Sequence, residues 1–334
     1  MATLKDVADL AGVTVTTVSR MLNKKANVSE HTKQKIHAAM EALDYIPNEV
    51  ARSLSTKKSH VIGLIVPSAV NFFFASIIQY IEEYVSAHQY KLLLCISDLD
   101  KDKEYEYYTM LRANRVDGVI VTSRTRDIDK LIHFQSPVLT IERTLSDGIP
   151  SISSDNYAGG SLAALHLLEM GCKNLVYIGG NLALDIEANR RLEGFSETLR
   201  KCGIKETVVA HTGERDFINL SYGNIIESLF MKYADTDGVF ASNDVIAAQV
   251  LQYCHRHHID IPGRLKIVGY DDAGLAALCS PTLTTIRQPI KEMCKAAVDN
   301  IIQLSKGKMV PKRIIFPVSI SMRESSGKSI FVQH

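Results

Sequence analysis

Apolar and polar positions follow two different rhythms, and the change falls near residue 60. Over residues 3–44 apolar residues recur at helical spacing in three short blocks. Thr3 and Asp6 precede the first block as a capping-box-like pair, and Val7, Ala8 and Ala11 form its stripe. Gly12 supplies the left-handed residue that ends it. Thr14 caps a second block running to about Leu22, with Val18, Met21 and Leu22 inward. Ser29 caps a third, with Ile36, Ala39, Met40 and Leu43 inside. Tyr45-Ile46-Pro47-Asn48 stops it, because a residue ahead of proline avoids the α region. Glu49 to Ser55 then forms a short segment, and Thr56-Lys57-Lys58-Ser59 a polar, protease-sensitive linker.

From His60 onward the pattern predicts strands alternating with helices. The strand candidates are Val61–Pro67, Lys91–Ile96, Gly118–Thr122, Pro137–Ile141, Ser151–Ser153, Asn174–Ile178, Glu206–Val209, Gly238–Ala241 and Leu265–Tyr270. Apolar-striped segments separate them, among them Ser76–Gln89, Glu104–Arg115, Tyr157–Met170, Arg190–Cys202 and Asp244–His257. Short β-branched runs without strict alternation predict parallel strands buried on both faces. The βα alternation predicts doubly wound α/β sheets with right-handed crossovers. There are too many strands for one sheet, so two lobes of similar topology are expected. Ligands bind such sheets at the carboxyl ends of the strands, which predicts a cleft between the lobes.

Charge sharpens the division. The 334 residues carry a net charge of only +1. Residues 1–60 hold nine basic side chains against six acidic ones, so a basic head precedes a near-neutral body. The six cysteines are scattered without a CxxC pair and read as reduced thiols. The N-terminus has no apolar core of a signal peptide, and no apolar run approaches the roughly 18 residues of a membrane span, so a cytoplasmic protein without membrane partners is expected. Gly179-Gly180-Asn181 reads as a tight turn, since GxGxxG is absent. His255-Arg256-His257-His258 reads as a solvated helix end. No catalytic set, metal site or cofactor is implied, and an enzyme would leave the N-terminal head unexplained.

A helix-turn-helix needs two short helices, a tight turn with glycine and a second helix whose exposed residues reach base edges. Residues 4–23 supply each part. On the second helix Val15, Thr16 and Arg20 point away from Val18 and Met21. Arg20 can donate two hydrogen bonds to guanine, Thr16 can bond a base edge and Val15 can touch a thymine methyl. Thr3, Thr17, Ser19 and Asn23 are short polar groups suited to phosphates, which set register. Among core residues at strand ends and loop starts, Arg191, Asn243, Asp271, Arg143 and Gln288 have the groups to hold paired hydroxyls, and Phe74 and Phe217 the platforms. For each the plain alternative is a structural cap or a surface charge.

The Leu4–Asn23 head, with Val28-Ser29, Tyr45-Ile46-Pro47-Asn48 and Ala51-Arg52-Ser53-Leu54, resembles the lactose-repressor (LacI/GalR) family of transcription regulators. Within it, Pro67-Ser68…Phe73-Phe74, Ser153-Ser154-Asp155-Asn156-Tyr157 and Gln288-Pro289 look most like sucrose-operon repressors. The resemblance implies a helical headpiece over residues 1–47, a hinge helix and linker over 48–59, and a periplasmic-binding-protein-like effector and dimerisation core over 60–334. Its N-lobe would take about 60–156 and 287–318, its C-lobe about 157–286 and 319–330. It implies that Asn48, Ala51 and Leu54 lie in a hinge that folds on DNA, with Leu54 wedged into the minor groove. Arg191, Asn243 and Asp271 match positions that hold effector polar groups across the family. Arg143, Asp185, Glu187, Phe73, Phe74, Phe217 and Gln288 match positions that vary with the effector. Glu142 stands where an aspartate is common.

The implied function is a repressor of a carbohydrate operon. It would bind double-stranded, palindromic operator DNA as a homodimer and be released by a sugar or sugar phosphate. Two rivals remain. A sugar transport receptor shares the core but lacks a DNA reader, and a global catabolite regulator of the same family takes a phosphorylated carrier protein as corepressor. The tail after Val318 lacks a leucine heptad, so no tetramer zipper is expected.

Overall fold

The three N-terminal blocks fold as helices α1 (Leu4–Ala11), α2 (Val15–Leu22) and α3 (Glu30–Ala42). The structure is a computed structural model and describes residues 2–22, 28–46, 58–125, 136–145, 148–204 and 207–327. The chain divides into two units, Met1–His60 and Val61–His334. In the first, Thr3 and Asp6 form the reciprocal capping box, Gly12 closes α1 at φ 66°, and Ser29 caps α3. Thr14 Oγ1 accepts the Thr17 amide at 3.2 Å. Val7, Val18 and Ile36 are fully buried, with Ala8, Ala11 and Ala39 beside them. Each large aliphatic contributes about 1.5–3 kcal/mol on burial, enough to hold three helices too short to stand alone.

The second unit contains strands β1 (Val61–Val66), β2 (Lys91–Ile96), β3 (Gly118–Val121), β4 (Val138–Ile141), β5 (Ser151–Ser154), β6 (Leu175–Gly179), β7 (Val208–His211), β8 (Gly238–Ala241), β9 (Lys266–Asp271), β10 (Thr284–Arg287), β11 (Arg313–Phe316) and β12 (Ser319–Ser321). Its helices are α4 (Phe72–Ala87), α5 (Lys101–Ala113), α6 (Asn156–Glu169), α7 (Arg190–Lys201), α8 (Glu214–Asn219), α9 (Gly223–Lys232), α10 (Asp244–Arg256), α11 (Leu275–Leu278) and α12 (Ile290–Leu304). One sheet runs β11-β5-β4-β3-β1-β2 and is parallel throughout. The other runs β12-β10-β9-β8-β6-β7, with only β12 antiparallel. The two sheets repeat one topology, as the alternation of βα units predicts.

The chain passes between the lobes after β5, after β10 and between β11 and β12. Helix α6 packs on the second sheet through Ala163, Ala164 and Leu167. Helix α12 returns to the first through Met293, Cys294, Ala297 and Ile301, against Ile77 and Ile81 of α4. Phe217 of the second lobe packs into the first lobe's core beside Phe73 and Phe74.

Several elements depart from the sequence pattern. Strands β10, β11 and β12 are short and polar or lie at sheet edges, so periodicity does not reveal them. Helix α4 starts at Phe72 rather than Ser76, because the Asn71 side chain caps it by accepting the Phe73 amide at 3.1 Å. Strands β6, β7 and β9 run one or two residues beyond the predicted ends.

Candidate effector cleft and DNA-reading face

The carboxyl ends of both sheets open onto one cavity of about 70 Å³ between the lobes. Helix α7 delivers its central group, Arg191. The α6 and α7 backbones approach so closely that a side-chain carbon on Gly160 would lie 1.9 Å from the Arg191 carbonyl oxygen. One on Gly194 would lie 2.0 Å from the Tyr157 carbonyl oxygen. Only glycine permits this crossing, and the crossing sets the depth of Arg191.

The Arg191 side chain is buried and held by five neighbouring groups. Its Nε donates to Asn156 Oδ1 at 2.7 Å and its Nη1 to the Ser242 carbonyl at 2.6 Å. The guanidinium lies 3.6 Å from the Tyr270 ring centroid. Asp271 Oδ1 is 3.7 Å from Nη1 and Glu142 Oε2 is 3.9 Å from Nη2. Burial alone would lower its pKa, but Tyr270, Asp271 and Glu142 overcome that and the net shift is upward. Burial pushes the Asp271 carboxyl up to about 7, against the opposing pull of Arg191 and Gln288. Burial also raises Glu142, opposed by Arg191, Ser154 and Asn156. Glu142 accepts from the Ser154 amide at 2.6 Å and from Asn156 Nδ2 at 2.8 Å.

A second guanidinium, Arg124, enters from the end of β3. It lies 4.3 Å from the Phe217 ring centroid, across the cleft, and burial lowers its pKa. Its Nε has no hydrogen-bond partner among the described residues. The loop carrying it is pinned on both sides. Arg143 Nη1 donates to the Ser123 carbonyl at 3.1 Å, and Thr125 Oγ1 donates to the buried Glu104 at 2.5 Å. Phe74 meets Phe217 edge-on at 6.1 Å, so aromatic rings from both lobes floor one side of the cavity. Paired carboxylates, guanidiniums, an amide and aromatic faces around a small cavity suit a compact ligand that carries hydroxyl groups on an apolar frame.

Of the residues singled out in the sequence, Phe73, Phe74, Arg191, Phe217, Asn243 and Asp271 line this cavity. Asn243 also caps α10, its Oδ1 accepting the Ile246 amide at 2.9 Å, so its Nδ2 is the atom left to face a ligand. Four others lie elsewhere. Gln288 sits behind the wall, donating to Asp271 Oδ1 and accepting from Ser154 Oγ, both at 2.7 Å. Arg143 supports the Arg124 loop. Asp185 is exposed at the cleft's outer rim. Glu187 bridges the lobes there, accepting from Thr144 Oγ1 at 2.7 Å and pairing with Arg313 at 3.2 Å. Sequence reasoning missed Arg124, Tyr222, Asn71 and Asn189 in the wall, and noted Glu142 only as an unusual residue. Arg124 carried a usable signal, because it follows a predicted strand at its carboxyl end.

In the headpiece, Val15, Thr16 and Arg20 are exposed on one side of α2, opposite buried Val18. Ser19 and Thr17 are half-buried. The Thr3 hydroxyl is engaged by Asp6 at 2.8 Å and that of Thr17 by Thr14 at 2.9 Å. Asn23, Asn48, Ala51 and Leu54, with the hinge segment, lie outside the described residues. No helix among the described residues is long and apolar enough to cross a membrane.

Comparison with known proteins agrees with both halves. Residues 3–48 match the family model of bacterial regulatory proteins of the lacI family, and residues 164–326 match that of the periplasmic binding protein-like domain. The chain is 37% identical over 325 residues to a sucrose operon repressor of Streptococcus mutans, covering 97% of this chain and 99% of that one. It is 33% identical to a periplasmic binding protein/LacI transcriptional regulator of Alkaliphilus metalliredigens solved with D-xylulofuranose, at a TM-score of 0.73, covering 80% of this chain and 98% of that one. It is 25% identical to the lac repressor dimer bound to operator and the anti-inducer ONPF, at a TM-score of 0.85, covering 98% and 99%. A helix-turn-helix head and a two-lobed binding core in one chain, matched end to end by such relatives, make this protein a member of the lacI family of bacterial transcription regulators and not an enzyme.

Proposed function

We propose that this protein represses a carbohydrate-utilisation operon, and that a sugar of the sucrose or fructose type in the interlobe cleft releases it from a palindromic operator. The observation carrying this reading is the cluster of buried Arg191 and Asp271 with half-buried Asn243 at the carboxyl ends of the sheets, in a chain that also bears an exposed Arg20. In this reading residues 1–47 read the DNA. Val15, Thr16 and Arg20 contact base edges, while Thr3, Thr17, Ser19 and Asn23 set register on phosphates. Residues 48–59 act as hinge and linker, with Asn48 and Ala51 against the duplex and Leu54 as the apolar wedge. The core over 60–334 binds the effector and a second copy of the chain, since a twofold operator calls for a twofold protein. The protein works in the cytoplasm, where the operator is.

Arg191, Asn243 and Asp271 hold effector hydroxyls, Phe73, Phe74 and Phe217 pack its ring, and Gln288 and Arg143 position these groups from behind. Asp185 and Glu187 control the rim. Sugar would alter the angle between lobes and so the spacing of two hinge segments, with a coupling of about 1–3 kcal/mol typical of allostery. The global-regulator reading gains no support from relatives such as the sucrose operon repressor. Gel-shift titration of operator DNA with and without sugars tests the reading, and operator affinity indifferent to every sugar overturns it. In the same assay Arg20→Ala lowers specific binding by about 1–3 kcal/mol, and unchanged affinity removes Arg20 from the base-reading set.

A further inference from the structure

We infer that Glu104 is a positioning residue of the effector cleft: it fixes Arg124 through Thr125, and so sets effector affinity without touching the effector. This rests on the sugar-responsive reading of the cleft.

Glu104 stands in the first turn of α5 and is fully buried. The same helix face carries buried Tyr108 and Leu111, which join Val119 and Val121 in an apolar cluster of the first lobe. A carboxylate here gives up its water. Burial raises its pKa, opposed by hydrogen bonds from Thr125, Ser123 and Tyr108 and by the field of Arg143. An apolar side chain of similar size would suit such a core at least as well, so the acid is explained by what it holds.

What it holds is the turn that carries Arg124. Thr125 Oγ1 donates to Glu104 Oε2 at 2.5 Å, and the Tyr108 hydroxyl donates to Glu104 Oε1 at 3.3 Å. The Thr125 amide donates to Ser123 Oγ at 2.9 Å, and the Ser123 carbonyl accepts from Arg143. Residues 123 and 125 are thus tied to their own lobe, while Arg124 between them reaches the other. Its guanidinium lies over Phe217, and its Nη2 is 3.4 Å from where a side-chain carbon on Gly180 would stand. Arg124, Gly180 and Phe217 line the cavity, and neither Glu104 nor Thr125 is among the described residues that do. The Arg124 Nε is buried without a partner among the described residues, so its direction depends on the turn beneath it. A shift at Thr125 therefore moves a donor to the effector and a contact between the lobes together.

Isothermal titration of the full-length protein with D-fructose and with sucrose tests this, using whichever sugar the wild type binds more tightly. Glu104→Met removes the acceptors and Thr125→Val removes the donor, each with little change of shape. Each should weaken binding by about threefold to tenfold, and by no more than Arg124→Met does. Thr125→Ser keeps the hydroxyl and should bind as the wild type does. In protein that already carries Arg124→Met, neither Glu104→Met nor Thr125→Val should cost anything further, whereas a merely structural role would cost the same in both backgrounds. Wild-type affinity in Glu104→Met or Thr125→Val, an equal loss in Thr125→Ser, or an undiminished loss beside Arg124→Met overturns the inference and leaves the sugar-responsive reading standing. If Glu104→Met fails to fold, Thr125→Val carries the same cycle. No heat from the wild type with either sugar overturns both.

Discussion

The two lobes share one topology, yet they treat the ends of their matching strands differently. β4 and β9 occupy the same place in their sheets, and each leads into a carboxylate with a left-handed backbone, Glu142 at φ 57° and Asp271 at φ 113°. Such angles are uncommon outside glycine and cost about 1–3 kcal/mol. In both lobes the strain turns an acid toward Arg191. Glu142 is then saturated by Ser154 and Asn156, so it serves as counter-charge and structural tie. Asp271 takes one bond from Gln288 and keeps a carboxyl face toward the cavity. β3 and β8 also correspond. After β8 the chain enters α10 under the Asn243 cap, while after β3 it carries Arg124 across the cleft. The second lobe therefore holds the fixed polar clamp, and the first supplies a lid of Phe73, Phe74 and Arg124. A repeated fold has been specialised by which strand-end groups are left unsaturated.

This contrast breaks most visibly at the paired acids. Asp271→Ala should weaken the effector by about 3 kcal/mol, a hundredfold or more, and leave operator binding intact. Glu142→Gln should cost far less, because Glu142 is spent on Ser154 and Asn156. Calorimetry on both variants decides, and equal losses would erase the distinction between clamp and counter-charge.

The next effect is a pH dependence. A carboxylate accepting two hydroxyl donors binds in its ionised form, and the free-protein Asp271 sits at about 7. Binding therefore releases a proton, and affinity rises with pH through that value. Titrations at pH 6 and pH 8 should differ by about tenfold, with tighter binding at pH 8. The folding contribution has the opposite sign, since a carboxyl raised in the folded state stabilises it below the unfolded pKa and loses that stabilisation as pH rises toward 7.

On the first-lobe side, Arg124→Met keeps the stem over Phe217 and removes the charged donor. It should lower effector affinity by about 1–2 kcal/mol, read by the same titration. The smallest effect belongs to the rim. Glu187→Gln loosens a partly exposed tie to Arg313 and should shift effector affinity by no more than about 1 kcal/mol, seen chiefly as faster dissociation in stopped-flow.

Much of the molecule was legible in the chain. Thr3, Asp6, Gly12, Thr14 and Ser29 mark their helix ends because capping and left-handed turns are local chemistry. The βα alternation disclosed two doubly wound lobes because buried parallel strands need continuous apolar runs. Arg191, Asn243 and Asp271 could be named from their places at a helix start and two strand ends taken together with the family resemblance. Arg143 and Gln288 could be named too, but not that they work behind the wall, since a sequence does not say which side of a loop a side chain takes. Strand β10 escaped notice because Thr284-Thr285-Ile286-Arg287 is short and mostly polar, and β11 and β12 because edge strands bear no two-sided burial signature.

By itself, then, the sequence determined the elements, their caps and the presence of a reader and a binding core. Tertiary structure decided which charges meet. Glu142 and Asp271 lie far apart in the chain and on different sheets, and only the folded lobes bring them to opposite flanks of Arg191. Only the glycine crossing of α6 on α7 sets that guanidinium at the necessary depth. Local preferences act over a few residues, whereas desolvation and Coulomb forces act over a few ångströms, and those distances exist only once the chain has packed.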